Sequence, residues 1–291
     1  MLGYAARTLE FAASNQQPDL EMARLDVQHM PSLIAAYNSR HPGLNASHFD
    51  TPRAFVDALA EDQRPAWRGV MRLVEGQIHH VAVDVRRHGR KRSVIVMEPA
   101  VVFSPGPTPD YLALAKTLGK KASWALIEVN AQKSLSDCLM YALHFTLLAH
   151  RGSAPRGSSQ AVPGLFERWH ENLARYGRLG GPEDDPARFD PVPDETLRKA
   201  GLMLHEGMDV LPSAFYKHAQ SKATAMAFER RRPEIAASDV RTGRGAEPES
   251  LVDRAEAFRV QRSGGRSFST SIEAARATKI RNALLDVGGS D

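Results

Sequence analysis

Ile78 to Glu98 reads IHHVAVDVRRHGRKRSVIVME, and the pairing of its two ends decides the fold. Ile78–Arg86 and Lys91–Glu98 both alternate and are rich in Val, and Gly89 after His88 supplies the positive φ of a tight turn. The stretch therefore predicts a β-hairpin. With the turn centred on His88-Gly89, His79 stands directly opposite Glu98 on one face, about 5 Å away at Cβ. Asp84 is the rival carboxylate, but on an unbroken strand it points to the opposite face from His79. A histidine oriented by a carboxylate supplies two parts of an activated thiol nucleophile. The one cysteine of the chain, Cys138, is the candidate third.

The setting of Cys138 suits that role. Ser123–Asn130 (SWALIEVN) reads as a strand, Ala131–Asp137 as a polar loop, and Leu139–His150 (LMYALHFTLLAH) as an apolar helix. With Ser136 or Asp137 as N-cap, the thiol falls in the first helical turn, where the helix dipole favours a thiolate. Gln132 in the same loop is positioned to turn its amide toward an oxyanion. Taken singly these residues have plainer readings: a small buried hydrophobe, a surface ion pair and a solvated loop amide. Their complementary geometry within one segment favours the catalytic reading.

The segment resembles the catalytic core of the YopJ family, bacterial type III secreted effectors with a thiol-protease-like triad that act as acetyltransferases. The matching features, in order, are His79 with Asp84 five residues on, Glu98-Pro99-Ala100, and Gln132, Ser134, Ser136, Asp137 and Cys138 in QKSLSDC. MPSLIAAYNSRHPGLN (Met30–Asn45) and FYKHAQS (Phe215–Ser221) also resemble family segments, so the similarity runs from about Leu20 to Lys222. Leu139 follows the nucleophile where many relatives have Gly. The resemblance implies a triad of His79, Glu98 and Cys138 and a ubiquitin-like-protease-type core. It also implies a helical regulatory domain formed by both ends of the chain, with activation by inositol hexakisphosphate. FYKHAQS then implicates Lys217, His218, Gln220 and Lys222 in the polyanion site, with Lys217 and Gln220 neighbours if that segment is helical.

The expected class is α+β: a mixed sheet flanked by helices, with residues 1–58 and 205–291 contributing the regulatory part and residues 59–204 the catalytic domain. Residues 1–64 read as helical, with Pro31 and Pro52 at first helical positions and Thr108 capping a later helix. Arg151–Gln160 and Gly180–Glu195 are Pro, Gly and Ser-rich candidate flaps. Helices dominate again from Thr196, broken at Pro212, Pro233 and Gly243–Gly245, and Ser271–Leu285 is the last before a short tail.

Composition narrows the function. One cysteine rules out an internal disulfide, and no apolar run reaches the length of a membrane span. A net charge of +4 with basic clusters lacking interleaved aromatics argues against nucleic acid. No zinc, Walker or dinucleotide motif occurs, and no metal is expected. The triad alone does not choose between water and another acceptor, so a cysteine protease or deubiquitinase-like hydrolase is the alternative. Such proteases typically place Trp beside the histidine, where this chain has His80. The family resemblance implies acetyl-CoA as donor, and Ser, Thr or Lys of host signalling or immunity proteins, such as kinases, as acceptors. It likewise implies delivery into the host cell cytoplasm by a type III system. A non-catalytic binder of such proteins is the third reading.

Overall fold

The alternation around Gly89 builds the centre of a six-stranded sheet. The computed structural model describes residues 1–14, 18–102, 107–119, 121–153, 163–236, 249–261 and 267–287. In chain order the elements are α1 (Leu2–Ser14), α2 (Leu20–Arg40), β1 (Ala46–Phe49), α3 (Pro52–Glu61), β2 (Ala66–Arg72), β3 (His80–His88), β4 (Lys91–Glu98), α4 (Pro107–Leu118), β5 (Ser123–Glu128), α5 (Cys138–Gly152) and α6 (Leu165–Tyr176). There follow α7 (Pro186–Phe189), α8 (Glu195–Lys199), β6 (Leu204–Glu206), α9 (Gly207–Val210), a 3-10 turn (Ser213–Tyr216), α10 (Lys222–Arg231), α11 (Pro233–Ala236), α12 (Leu251–Ala257), β7 (Arg259–Gln261), β8 (Ser267–Ser269) and α13 (Ser271–Val287).

The main sheet runs β1-β2-β3-β4-β5-β6. β2, β3 and β4 are antiparallel, while β1, β5 and β6 join by parallel pairing. This is the expected α+β class with a mixed sheet. The hairpin register differs from expectation: Ala82 faces Met97 and His88 faces Lys91, so the turn is Gly89-Arg90. Gly89 has φ 62°, and a positive φ at the first turn position is what a type II′ turn requires. The register is thus displaced by two residues, which preserves the face of every side chain.

Both faces of the sheet are covered. Val81, Val83, Val85, Val94 and Val96 pack with Phe55 and Leu59 of α3 and Tyr111 and Leu114 of α4. Ala82, Ile95 and Met97 belong to a second core with Leu143 of α5, Phe166 of α6 and Ile280 of α13. Strands buried on two sides need apolar residues at nearly every position, which is why β3 and β4 read so clearly. Gly69 of β2 leaves room for Phe49 of β1: a Cβ there would lie 2.5 Å from the ring.

Several expectations are corrected. β1 interrupts the supposed helical start, and β6 and the antiparallel pair β7 and β8 interrupt the helical end. Strands this short carry almost no periodic signal. Pro31 lies inside α2 rather than at its start, because Met30, Leu33 and Ile34 are buried on both sides of it and core packing outweighs the local break. α4 begins at Pro107, so Thr108 does not cap it; its hydroxyl donates to the Val102 carbonyl. Gly180–Glu195 is held down, with Phe189 edge-on to Trp169 and Arg188 Nε donating to the Asp209 carbonyl at 2.6 Å. Residues 154–160 of the other candidate flap, Gly243–Gly245 and the tail from Gly288 lie outside the described residues. α13 packs against α1 and α2, joining the two chain ends. The boundaries expected at 58 and 204 fall inside α3 and at the start of β6.

Candidate active site

His79 immediately precedes β3, and its carbonyl accepts the Leu73 N–H at 3.0 Å, which pins the start of the strand. Its Nε2 lies 2.7 Å from Glu98 Oε2. The pair meets diagonally rather than in direct opposition, a reach that long side chains on one face can make. Glu98 ends β4, is fully buried and is held from three sides. Oε1 accepts the Ala100 N–H at 2.7 Å, and Oε2 accepts the Tyr111 hydroxyl as well as His79. Pro99 between them accepts the Ala131 and Gln132 N–H groups at 2.9 and 3.0 Å, tying Glu-Pro-Ala to the cysteine loop.

Asp84 does point away. Its carboxylate receives Arg68 Nε at 3.1 Å and His170 Nε2 at 3.2 Å. Burial opposes its charge, but Arg68 and His170 together hold its pKa below the usual value.

Cys138 is the first residue of α5, 2% exposed, and its Sγ donates to the Ile78 carbonyl at 3.0 Å. The same carbonyl accepts His80 Nδ1–H at 2.7 Å. His80 Nε2 is then an acceptor and receives His48 Nε2–H at 3.3 Å. Burial pushes the His80 pKa down to about 3, so it stays neutral. His79 goes the other way. Burial would depress it, yet the Glu98 charge and hydrogen bonds to Cys138 and Glu98 raise its pKa to about 10. With Nε2 on Glu98, Nδ1 is the nitrogen left for the thiol, and an imidazolium beside sulfur at a helix N-terminus stabilises a thiolate. Gln132 is buried within the loop; its Nε2 donates to the Ser134 carbonyl at 2.6 Å, which engages one of its two amide hydrogens. Leu139 is helical and buried, so a side chain at the family's Gly position is accommodated.

The structure therefore brings His79, Glu98 and Cys138 together, and a family model for the YopJ serine/threonine acetyltransferases matches residues 1–282. The chain belongs to the YopJ family. It is 37% identical to the serine/threonine-protein acetyltransferase NGR_a02610 of Sinorhizobium fredii (strain NBRC 101917 / NGR234), over 66% of this chain and 71% of that protein. It is 31% identical to the serine/threonine-protein acetyltransferase HopZ1a of Pseudomonas syringae pv. syringae, over 94% of this chain and 78% of the relative. The crystal structure of HopZ1a in complex with IP6 and CoA superposes with a TM-score of 0.82 at 28% identity, covering 98% of this chain and 92% of that one. The family match extends beyond Leu20 and Lys222 on both sides.

Tyr111, whose hydroxyl donates to the buried Glu98, is the residue of this arrangement that sequence reasoning missed, since DYLALA reads only as an apolar helix. Tyr111→Phe removes one donor from the buried Glu98 charge. Acetyl transfer should slow by about tenfold in kcat/KM, as expected for losing a hydrogen bond to a charged group. An unchanged rate would show that Ala100 and His79 alone hold the carboxylate.

A second feature of this family member is a cavity of about 760 Å³ lined by Arg40 of α2, Arg151 of α5, Arg254 of α12, Lys279 of α13, and Lys217. His41, His144 and His218 also line it, and no Asp or Glu does among the described residues. Burial, then Arg151, Lys217 and Arg276, lower the Lys279 pKa to about 8. Burial and neighbouring cations likewise hold His144 and His218 well below 6.5. Lys217 and His218 line this cavity, whereas Gln220 and Lys222, expected with them at one polyanion site, do not. The 3-10 turn ends at Tyr216 and α10 starts at Lys222, so the assumed helical neighbourhood of Lys217 and Gln220 does not exist. Lys222 pairs with Glu256 at the surface, and Gln220 is buried against the cysteine loop. Arg40, Arg151, Arg254 and Lys279 were not legible, because only the fold gathers them.

Proposed function

We propose that this chain moves acetyl from acetyl-CoA, through a thioester on Cys138, to Ser, Thr or Lys of host proteins. The observation that carries the reading is His79 held between the buried Glu98 and the Cys138 thiol at the start of α5. Cys138 sulfur attacks the acetyl carbonyl carbon, the carbon–sulfur bond to CoA breaks, and the His79 imidazolium gives its proton to the departing CoA thiolate. The acceptor hydroxyl or amine then loses its proton to His79 as it attacks the thioester, and the Cys138 thiolate leaves. Glu98 keeps Nδ1 aimed at the reacting atoms throughout. The open N–H groups at the start of α5 and the second amide hydrogen of Gln132 are suited to the oxyanion. Positioned proton transfer of this kind contributes about 10²- to 10⁴-fold in rate.

Inositol hexakisphosphate is the activator this reading assigns to the basic cavity, since a wall of cations without a carboxylate suits a polyphosphate and its relative HopZ1a was crystallised with IP6 and CoA. Residues 1–58 and 205–291 form the regulatory part in this reading, less the strands they lend to the sheet. Host signalling or immunity proteins such as kinases, reached through type III secretion into the host cytoplasm, are the proposed targets. Incubation with labelled acetyl-CoA, inositol hexakisphosphate and host-cell extract should label both the chain and its targets. Absence of label together with cleavage of a ubiquitin-like substrate would replace transfer by hydrolysis.

The activator makes a separate prediction. Inositol hexakisphosphate should raise the melting temperature of the wild type by mass action, and Lys279→Ala or Lys217→Ala should shrink that rise. Lys279 carries its proton below about pH 8 in the free protein. A polyanion binds the protonated form, so affinity should be level below pH 8 and weaken as pH rises above it. Calorimetric titration across pH 7 to 10 checks the sign, and affinity that increases with pH would remove Lys279 from the site.

A further inference from the structure

Asp137 is the N-cap residue of α5, yet its side chain caps nothing. Its carboxylate is engaged elsewhere. Oδ1 receives Arg276 Nη2 at 2.6 Å, and Oδ2 receives Gln220 Nε2 at 2.8 Å together with the Ser134 hydroxyl. Arg276 comes from α13, is 2% exposed, and is backed by Asp26 of α2 through Nε at 3.0 Å and Nη2 at 2.9 Å. Gln220 Oε1 in turn accepts the Lys133 and Ser134 N–H groups at 2.6 and 2.8 Å, so the loop before the cysteine is gripped by residues from beyond the catalytic sheet.

A carboxylate one residue before a nucleophilic sulfur opposes the thiolate, and left free it would also cap the helix terminus that stabilises it. We propose that Arg276 is a positioning residue for the nucleophile: it draws the Asp137 charge away from the thiol and from the start of α5, and so makes the reactivity of Cys138 conditional on docked α13. The same helix carries Lys279 into the basic cavity, one turn beyond Arg276. The inference takes Cys138 as the nucleophile and to that extent rests on the proposed function. The charged and titratable groups around the start of α5 are His79 just before β3 and His80 at its start, with Glu98 behind His79, Asp26 from α2 with Tyr4 from α1, Arg276 and Glu273 from α13, and Tyr141 from α5 itself. Among them only Arg276 bonds Asp137 with a positive charge.

The test reads the thiol directly rather than acetyl transfer, because Cys138 is the only cysteine and any alkylation reports on it. Removing Arg276 alone would leave Asp26 buried and unpaired, so the comparison is made in an Asp26→Asn background. The rate of iodoacetamide alkylation of the full chain is followed against pH, with folding checked by near-UV dichroism. Asp26→Asn/Arg276→Gln should move the midpoint of the rate–pH curve upward by about one pH unit, the effect of an uncompensated like charge. Adding Asp137→Asn should bring the midpoint back. Leu59→Ala, in the opposite core, serves as a variant with a disturbed fold and should leave the midpoint in place. An unmoved midpoint in the Arg276 variant, or one that Asp137→Asn fails to restore, would overturn the proposal. A normal alkylation pattern in a protein that fails to transfer acetyl would instead count against the acetyltransferase reading alone.

Discussion

Cys138→Ala should abolish acetyl transfer, lowering the rate by a factor on the order of 10⁴ or more, while the protein melts close to the wild-type temperature. The nucleophile has no substitute nearby, because the chain holds one cysteine. The fold has little reason to suffer: Ala is the best helix former, and the position is the first of α5. The lost interactions are the hydrogen bond with His79, which keeps Glu98, and a weak S–H donor to the Ile78 carbonyl, which still accepts from His80. Incorporation of labelled acetyl and the melting curve are measured on the same preparation. Residual labelling of targets at the wild-type rate would show that the acetyl group does not pass through Cys138.

What could be read from the sequence depended on how much of each feature is periodic. The hairpin's alternation fixes which side chains share a face, and that parity brought His79 to Glu98 and excluded Asp84 even though the turn is Gly89-Arg90 rather than His88-Gly89. A displacement of two residues costs only the difference between a direct and a diagonal contact, whereas one residue would have separated the pair. Cys138 at the start of α5 was equally plain, since an apolar run following a polar loop marks a helix start. Tyr111 was hidden because its hydroxyl acquires meaning only when α4 packs over Val94 and Val96. The basic cavity was hidden for a related reason. Arg40, Arg151, Arg254 and Lys279 come from four helices, and each alone resembles an ordinary cation near a helix end or on a polar face.

Glu98→Gln should lower the rate of acetyl transfer on the order of 10³-fold, and Asp84→Asn should leave the rate of the folded protein almost unchanged. Gln retains the shape of Glu98 but not its charge, and its amide can donate toward His79, which favours the wrong tautomer of the ring. The Tyr111 and Ala100 donors would also face a weaker acceptor. Asp84→Asn instead strips charge from the partner of the buried Arg68, which should cost about 3 to 5 kcal/mol of stability without touching the thiol. A second measurement separates the two effects. His79 has a folded pKa of about 10 against an ordinary 6.5, so its ion pair contributes stability that is fully present below pH 6.5 and lost as pH rises through 10. Melting temperature plotted against pH should therefore lose a downward component between those limits in Glu98→Gln and keep it in Asp84→Asn. Equal losses of rate in two folded variants would make Asp84 a contributor to catalysis across the sheet, and a pH slope that survives Glu98→Gln would mean that another group holds the proton on His79.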